Sequence, residues 1–517
     1  MVNENTNISH YEEAVVKPKR KKPMDWKMMD IESTAFSKQS ESEEVAIDSN
    51  STTIHLNATE IFEQFFDNAL IDEIFSYSNI YALQKNNTLG VTSDEIKCYI
   101  GIIMLTGYLH PRNIRMFWEG TPDTQNEMVA KAMSRNRFMD IHRFLHLCDN
   151  SKINMTDPFS KVSEYFHLLN QKFRQNYGRL DATHFSVDET MVPYFGHHGC
   201  KQHIHGKPIR FGYKIWTIAD RHGYLLNAEP YRGCKSMPLP DQKELGLGAA
   251  VVLNACSKLP GYVKDKLVYF DNFFTSPNLI KELQKRNIGG TGTIRENRLK
   301  TPLSTTTEFK KKTRGHYEVV TDESDTLCAV RWHDNSIVTI LSNVHGALPI
   351  RNAKRVASVK GKRQQISIPI PNTVVQYNKY MGGVDRFDEN VASMRCVYKG
   401  KRWWFPLFKF GIDATCVNAW QILKLTTKSW SLCDFRRHIV RSWVKPTRKS
   451  HIAHPLTFIT LPASKRITDQ LRLDAKDHNI EKKTQARCAY CRKRSWHWCS
   501  KCNVPCHLRC SSFFHQL

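Results

Sequence analysis

Nowhere in the 517 residues is there an apolar run long enough to cross a bilayer. The longest, CYIGIIMLTGYLH at 98–110, falls short of the about 20 residues that a spanning helix needs. The N-terminus is polar and has no apolar h-region, so the sequence predicts a chain that is neither secreted nor inserted in a membrane. No internal repeat is visible. Acidic residues are the scarce charge: 50 Asp and Glu stand against 75 Lys and Arg, a net charge of +25. Such an excess calls for an anionic polymer as partner, with nucleic acid first among them. A disulfide framework is also not expected, because six of the 15 cysteines crowd into 488–510 at metal-ligand spacing, a pattern suited to a reducing compartment.

What is present divides into several domains, since the chain is too long for one ordinary core. Residues 1–57 are rich in Asn, Ser, Thr, Glu and Lys without a sustained period and are expected to be disordered. Their basic run VVKPKRKKP (15–23) reads as a nuclear-import signal or as a solvated patch in a flexible tail. Residues 58–183 have the helical period, clearest in 58–84 and 93–109, with Arg and His along a further helix at 135–149 that either touch a phosphate backbone or form a solvent face. At 184 the period changes to strand, hairpin, helix, strand, helix, strand through 297. That order is the order of a ribonuclease-H-like α/β core. Residues 298–372 are basic and β-rich and interrupt it as an insertion domain expected to grip a substrate backbone. The core resumes at 373–394. A basic segment at 395–460 is expected to be helical and to bind DNA. Its aromatics, Trp403 to Trp430, are spaced like core residues more than like base-stacking platforms. A linker (461–487) and a zinc finger (488–517) complete the expected multidomain α/β architecture.

Three aspartates carry the chemical signal. HFSVDETM (184–191) and KLVYFDNFFTS (266–276) each end a strand-like run on an acid, Asp188 and Asp271, and YMGGVDRFD (380–388) places Asp385 on a helix opened by two glycines. A lone Asp after a strand is usually a turn former or cap. Two acids at the ends of neighbouring parallel strands, joined by a third, are instead what a nuclease uses to hold two Mg²⁺ or Mn²⁺ ions. Asp388 lies one turn behind Asp385, as a support for the ligands or a fourth one. Glu189 alternates to the other side of its strand and is a poor ligand candidate.

The tail reads C-x2-C-x7-C-x2-C-x3-C-x3-C-x4-H. Thiolates two apart clamp Zn²⁺ from a tight knuckle, and a module this short needs the metal to fold. Seven candidate ligands are Cys488, Cys491, Cys499, Cys502, Cys506, Cys510 and His515, with His507 as the eighth and His497 as its alternative. A ubiquitin-ligase RING uses similar ligands, but at longer intervals than these.

In their order and spacing, SVDETM, KPIRFGYKIW, YFDNFFTS, GTGTIREN, NKYMGGVDRFD and KRWWFPLF resemble the piggyBac family of DDE transposases and its domesticated derivatives, from about 58 to 517. The resemblance puts Asp188, Asp271 and Asp385 on the family's catalytic aspartates and Asp388 on the acid beside the third. It implies a nuclear cut-and-paste enzyme that nicks transposon ends, forms hairpins and joins 3′-hydroxyls into TTAA target DNA. It further implies a helical dimerisation and DNA-binding domain, a homodimer on double-stranded DNA, and a cross-brace zinc finger that binds transposon ends. The rival expectation is a domesticated, sequence-specific DNA-binding protein that has lost catalysis.

Overall fold

The computed structural model describes residues 25–28, 57–446 and 472–515, together with Ile467 and apart from 181–182, 234–237, 325, 360–361, 428, 475 and 492. The basic run at 15–23 lies outside the described residues.

The helical region follows its capping chemistry. Asn57 and Glu60 form a capping box on Ala58–Glu63, Asp67 caps Asn68–Gln84, and Thr92 with Glu95 boxes Ser93–Leu109. Each side-chain oxygen satisfies an amide that the first turn leaves unpaired. Ser93–Leu109 is buried from Cys98 to Gly107, as a helix apolar on all sides must be. The helix expected at 135–149 forms over Arg135–Phe144, but several of its polar groups serve the interior. Arg137 Nη2 meets Glu95 Oε2 at 2.6 Å, and His142 pairs with the Tyr99 hydroxyl at 2.8 Å. Burial first, then the charge of Arg402, pushes both His142 and His146 down to about 4. These imidazoles are neutral core groups.

Ten strands form one mixed sheet. They are β1 (Trp26–Met28), β2 (His184–Pro193), β3 (Lys201–His203), β4 (Phe211–Asp220), β5 (Leu225–Pro230), β6 (Leu267–Phe270), β7 (Gly289–Thr293), β8 (Tyr317–Asp322), β9 (Cys328–His333) and β10 (Ile337–Ser342). The order is β1-β8-β9-β10-β7-β6-β2-β4-β3, with β5 also on β4. Only β2–β6 and β6–β7 are parallel. Those two pairings need crossovers, which the helices Leu247–Ser257 and Pro277–Lys285 supply.

Residues 298–372 join this sheet rather than standing wholly apart from it. β10 pairs with β7, Ile340 opposite Thr293, and thereby covers a glycine-rich strand that would otherwise expose an open edge. The separate part is a two-stranded ribbon, β11 (Arg351–Val359) and β12 (Lys362–Ile370).

In the segment from 395, Phe405–Thr426 is a core helix, with Phe405, Phe408 and Ile412 fully buried. Its Asn418 accepts from the Leu225 amide and donates to the Leu225 carbonyl, both at 2.8 Å, which ties the helix to β5. The following helix, Leu432–Trp443, buries a cation. Arg436 Nε donates to Met104 O at 2.9 Å, Nη1 to Asp413 Oδ1 at 2.9 Å and Nη2 to Cys396 Sγ at 2.8 Å, stapling three segments. With both side chains at most 2% exposed, removing one partner strands a charge in the interior. Asp413→Ala should therefore cost about 3–5 kcal/mol in chemical unfolding. A loss below about 1 kcal/mol would mean that the interior tolerates the lone guanidinium.

Candidate functional site

Register places the first two acids. β2 and β6 run parallel with Val187 opposite Phe270, so the next residue on each strand is Asp188 and Asp271, side by side at the carboxyl edge. Asp271 is held by a local turn: its Oδ1 accepts from the Phe273 amide at 2.8 Å, and its carbonyl accepts from Thr275 Oγ1 at 2.8 Å.

A close helix crossing delivers the third. Gly383 opens the helix Gly383–Ser393 against β2 and β4, where a Cβ would meet Asp220 O at 2.3 Å and Ser186 Oγ at 2.6 Å. Only glycine permits that approach. The Val384 amide then donates to Ser186 Oγ at 3.0 Å, two residues before Asp188. The β4–β5 turn supports the crossing, since Gly223, at φ +86°, lies against the Phe387 backbone.

Electrostatics shows what has been gathered. The Tyr377 phenol, on the helix Asn372–Tyr380, is pushed up to about 12 by burial, with the charges of Asp271, Asp188 and Asp385 adding to it. Three aspartates from three segments thus bear on one hydroxyl. Burial and then Glu189 raise Asp188 to about 7, against the opposing charge of Lys207. Burial likewise raises Asp388 to about 7, against a hydrogen bond from Thr190 and the charges of Lys207 and Arg395. Asp271 is raised by burial, with Glu189 adding. Glu189 shares the other face of β2 with Lys214, which it meets at 3.6 Å, while Lys207 reaches it at 3.4 Å from a loop that also faces Asp188 and Asp388. The neighbourhood holds more acid than base, and Asp188, Asp271 and Asp388 resist ionising there. Lys207, Tyr377 and Thr190 were not singled out in the sequence, where only their nearness to the acidic motifs hinted at them.

This has a consequence for stability. Carboxyls raised from 3.8 to about 7 take up protons more readily in the folded than in the unfolded chain. The contribution is therefore full below about pH 4 and lost as the pH rises through about 7. In EDTA, Asp388→Asn should raise the melting temperature at pH 7 by on the order of a few degrees and flatten its dependence between pH 4 and 7. An unchanged pH slope would contradict the burial of this carboxyl.

The tail contains two groups of four ligand atoms, each within 4.8 Å of one another: Cys488, Cys491, His507 and Cys510, and His478, Cys499, Cys502 and His515. The aspartates are not such a group among the described residues. The two sets interleave along the chain. His478, upstream of the first cysteine, completes the second set. Cys506, expected as a ligand, belongs to neither set, although its thiol lies beside Cys488 of the first; His497 is likewise in neither.

The imidazoles are oriented for metal. His507 Nε2 donates to Arg494 O at 2.9 Å, leaving Nδ1 3.3 Å from Cys491 Sγ. His478 Nε2 is taken by Asp474 at 3.0 Å, leaving Nδ1 3.4 Å from both Cys499 and Cys502. His515 Nδ1 donates to Arg472 O at 2.9 Å, and its Nε2 is buried without a partner. A buried nitrogen lone pair facing two thiols fits a soft, tetrahedral cation such as zinc. Around them, Ala489, Val504 and Phe514 are the fully buried apolar residues other than cysteines, too few to hold the module together unaided.

A family model described as Transposase IS4 matches residues 57–420, a span that takes in all four aspartates. Human PiggyBac transposable element-derived protein 3 is 38% identical over 477 residues, 90% of this chain and 77% of that protein. Human PiggyBac transposable element-derived protein 2 is 34% identical over 466 residues, 89% and 76% of the two. Among solved structures, a cryo-EM piggyBac transposase synaptic complex with hairpin DNA superposes with a TM-score of 0.61 at 22% identity, covering 87% of this chain and 95% of that one. At that identity the likeness concerns the fold.

Proposed function

The chain belongs to the piggyBac-type family of DDE transposases, and from that premise we propose that it cleaves and joins DNA strands by metal-dependent phosphoryl transfer at TTAA sites. The observation that carries this reading is that β2 and β6 set Asp188 and Asp271 side by side while the Gly383 crossing brings the helix of Asp385 and Asp388 against the same strand. Asp188, Asp271 and Asp385 would hold two Mg²⁺ or Mn²⁺ ions, whose acid oxygen ligands they match. When bound, such ions lower the pKa of a water or a DNA 3′-hydroxyl and offset the charge that develops at phosphorus.

The chain's own groups do the positioning. Pairing of β2 with β6 fixes two carboxylates in register, and the Gly383 crossing fixes the third. Thr190 orients Asp388. Lys207, placed between Asp188, Glu189 and Asp388, balances part of the acid charge and offers a cation to a backbone phosphate. The parallel β2–β6–β7 set with acids at its carboxyl edge supports a ribonuclease-H-like core, and the helical region before it supports a dimerisation and DNA-binding role. The two tail tetrads would hold Zn²⁺ in a cross-brace that recognises transposon ends. Double-stranded DNA, a homodimeric assembly and a nuclear location complete the reading; no described helix is long and apolar enough to cross a membrane.

Purified full chain with Mg²⁺, given duplex DNA that carries the terminal repeats flanking its own coding sequence, should release nicked and hairpin products; intact DNA after binding would overturn the reading. A second reading, a sequence-specific DNA-binding protein without catalysis, is favoured by relatives whose names call them transposable element-derived. It predicts that bound but uncut outcome.

A further inference from the structure

The ribbon β11–β12 has two unlike faces, because side chains alternate along each strand and its register is unbroken from Arg351 opposite Ile370 to Val359 opposite Lys362. One face carries Ile366, Ile368 and Ile370, which pack with Trp332, Ile340 and Val374. That footing is braced by Asp334, which takes Arg355 Nε at 2.8 Å and Arg314 Nε at 2.6 Å. The other face carries Asn352, Lys354, Val356, Arg363 and Gln365, all exposed, with Val356 at 65%. Between 351 and 370 there are six basic residues, Arg351, Lys354, Arg355, Lys360, Lys362 and Arg363, and no acid.

We propose that the outward face of this ribbon enters the major groove of duplex DNA and reads base edges there; this rests on the DNA-directed function proposed above. Charge selects the occupant, since the outward face presents Lys354 and Arg363 and no acid, which suits a polyanion. Shape agrees: two strands about 5 Å apart with their side chains fit a groove about 12 Å wide. The composition goes beyond phosphate gripping, which cations alone would accomplish. Asn352 and Gln365 present the paired donor and acceptor that match adenine, Arg363 and Lys354 match the guanine acceptors, and Val356 suits the thymine methyl. The place also fits, because Ile370 leads through Pro371 directly into the helix that carries Tyr377 to the aspartates. A strand of nine residues spans about 30 Å, so the bases read lie within a few turns of the scissile phosphate.

The test uses the full chain and a pool of random duplexes, selected by binding and sequenced, for wild type and for Asn352→Ala with Gln365→Ala. Both amides are exposed and neutral, so melting temperature and salt slope should be unchanged. Wild type should enrich a motif. The double variant should lose preference at two or three of its positions and bind the selected sequence roughly 5- to 150-fold more weakly per lost pair. If the variant enriches the same motif, the ribbon does not read bases. Salt-sensitive wild-type binding without any enriched motif would overturn the ribbon reading and leave DNA binding standing, whereas no wild-type binding at all would overturn the function itself. An unchanged motif with a shift from dimer to monomer in sedimentation would assign the face to a second copy of the chain.

Discussion

Replacing Asp271 with Asn should lower DNA nicking in Mg²⁺ on the order of 10³-fold while leaving DNA affinity within about twofold. The substitution removes the charge and little else. Asn keeps the oxygen that accepts from the Phe273 amide, so the turn after β6 survives. The buried, acid-rich surroundings that raise Asp271 would also tolerate a neutral amide better than a carboxylate. Folding is therefore not the cause of the loss. Asp188→Asn and Asp385→Asn should behave alike, because each takes one acid from the same cluster. Glu189→Gln should cost far less, since that carboxylate is already engaged by Lys207 and Lys214. Gel assays of nicked and hairpin products, paired with a binding measurement on each variant, separate the two effects. Full activity in Asp271→Asn would remove these aspartates from the reaction.

The part of the molecule that carries the four aspartates was legible because its determinants are local. Alternation over 184–193 and the short buried run at 267–270 announce β2 and β6, and their parallel register then brings Asp188 beside Asp271. Gly382 and Gly383 before Asp385 likewise announce a close helix start, which the crossing at Ser186 and Asp220 explains. What was not legible depends on contacts between distant segments. The strands of 298–372 read as an insertion, yet β10 seals the open side of β7, and no local pattern encodes that pairing. Charge misleads in the same way. Arg436 belongs to a strongly basic stretch, but it is 1% exposed and bound to Asp413 and to groups from two other segments. In the tail, six cysteines at regular intervals suggest six ligands. Spacing cannot tell that Cys506 falls outside both tetrads while His478, two residues ahead of β13 (Ile480–Arg487), turns toward Cys499.

That last difference makes the zinc stoichiometry decisive. Elemental analysis of the full chain should find two zinc ions, His478→Ala should retain one, and Cys506→Ala should retain both. His478 Nδ1 stands 3.4 Å from both Cys499 and Cys502, and Asp474 holds its other nitrogen in that orientation, so its loss removes a quarter of one ligand shell. Because metal binding supplies most of the folding free energy of a module with so few apolar residues, the tail should open when that site empties. Limited proteolysis should then cut in 472–515 while the core up to 446 keeps its melting transition, since that core buries its own apolar residues. Cys506→Ala costs a small cavity but no ligand, so it controls for packing. With the tail open, recognition of specific ends should disappear, and a weak, strongly salt-dependent DNA affinity should remain from the basic surface of the rest of the chain. Two zinc ions retained by His478→Ala, with one lost from Cys506→Ala, would reverse the assignment and restore the ligand set that spacing alone suggested.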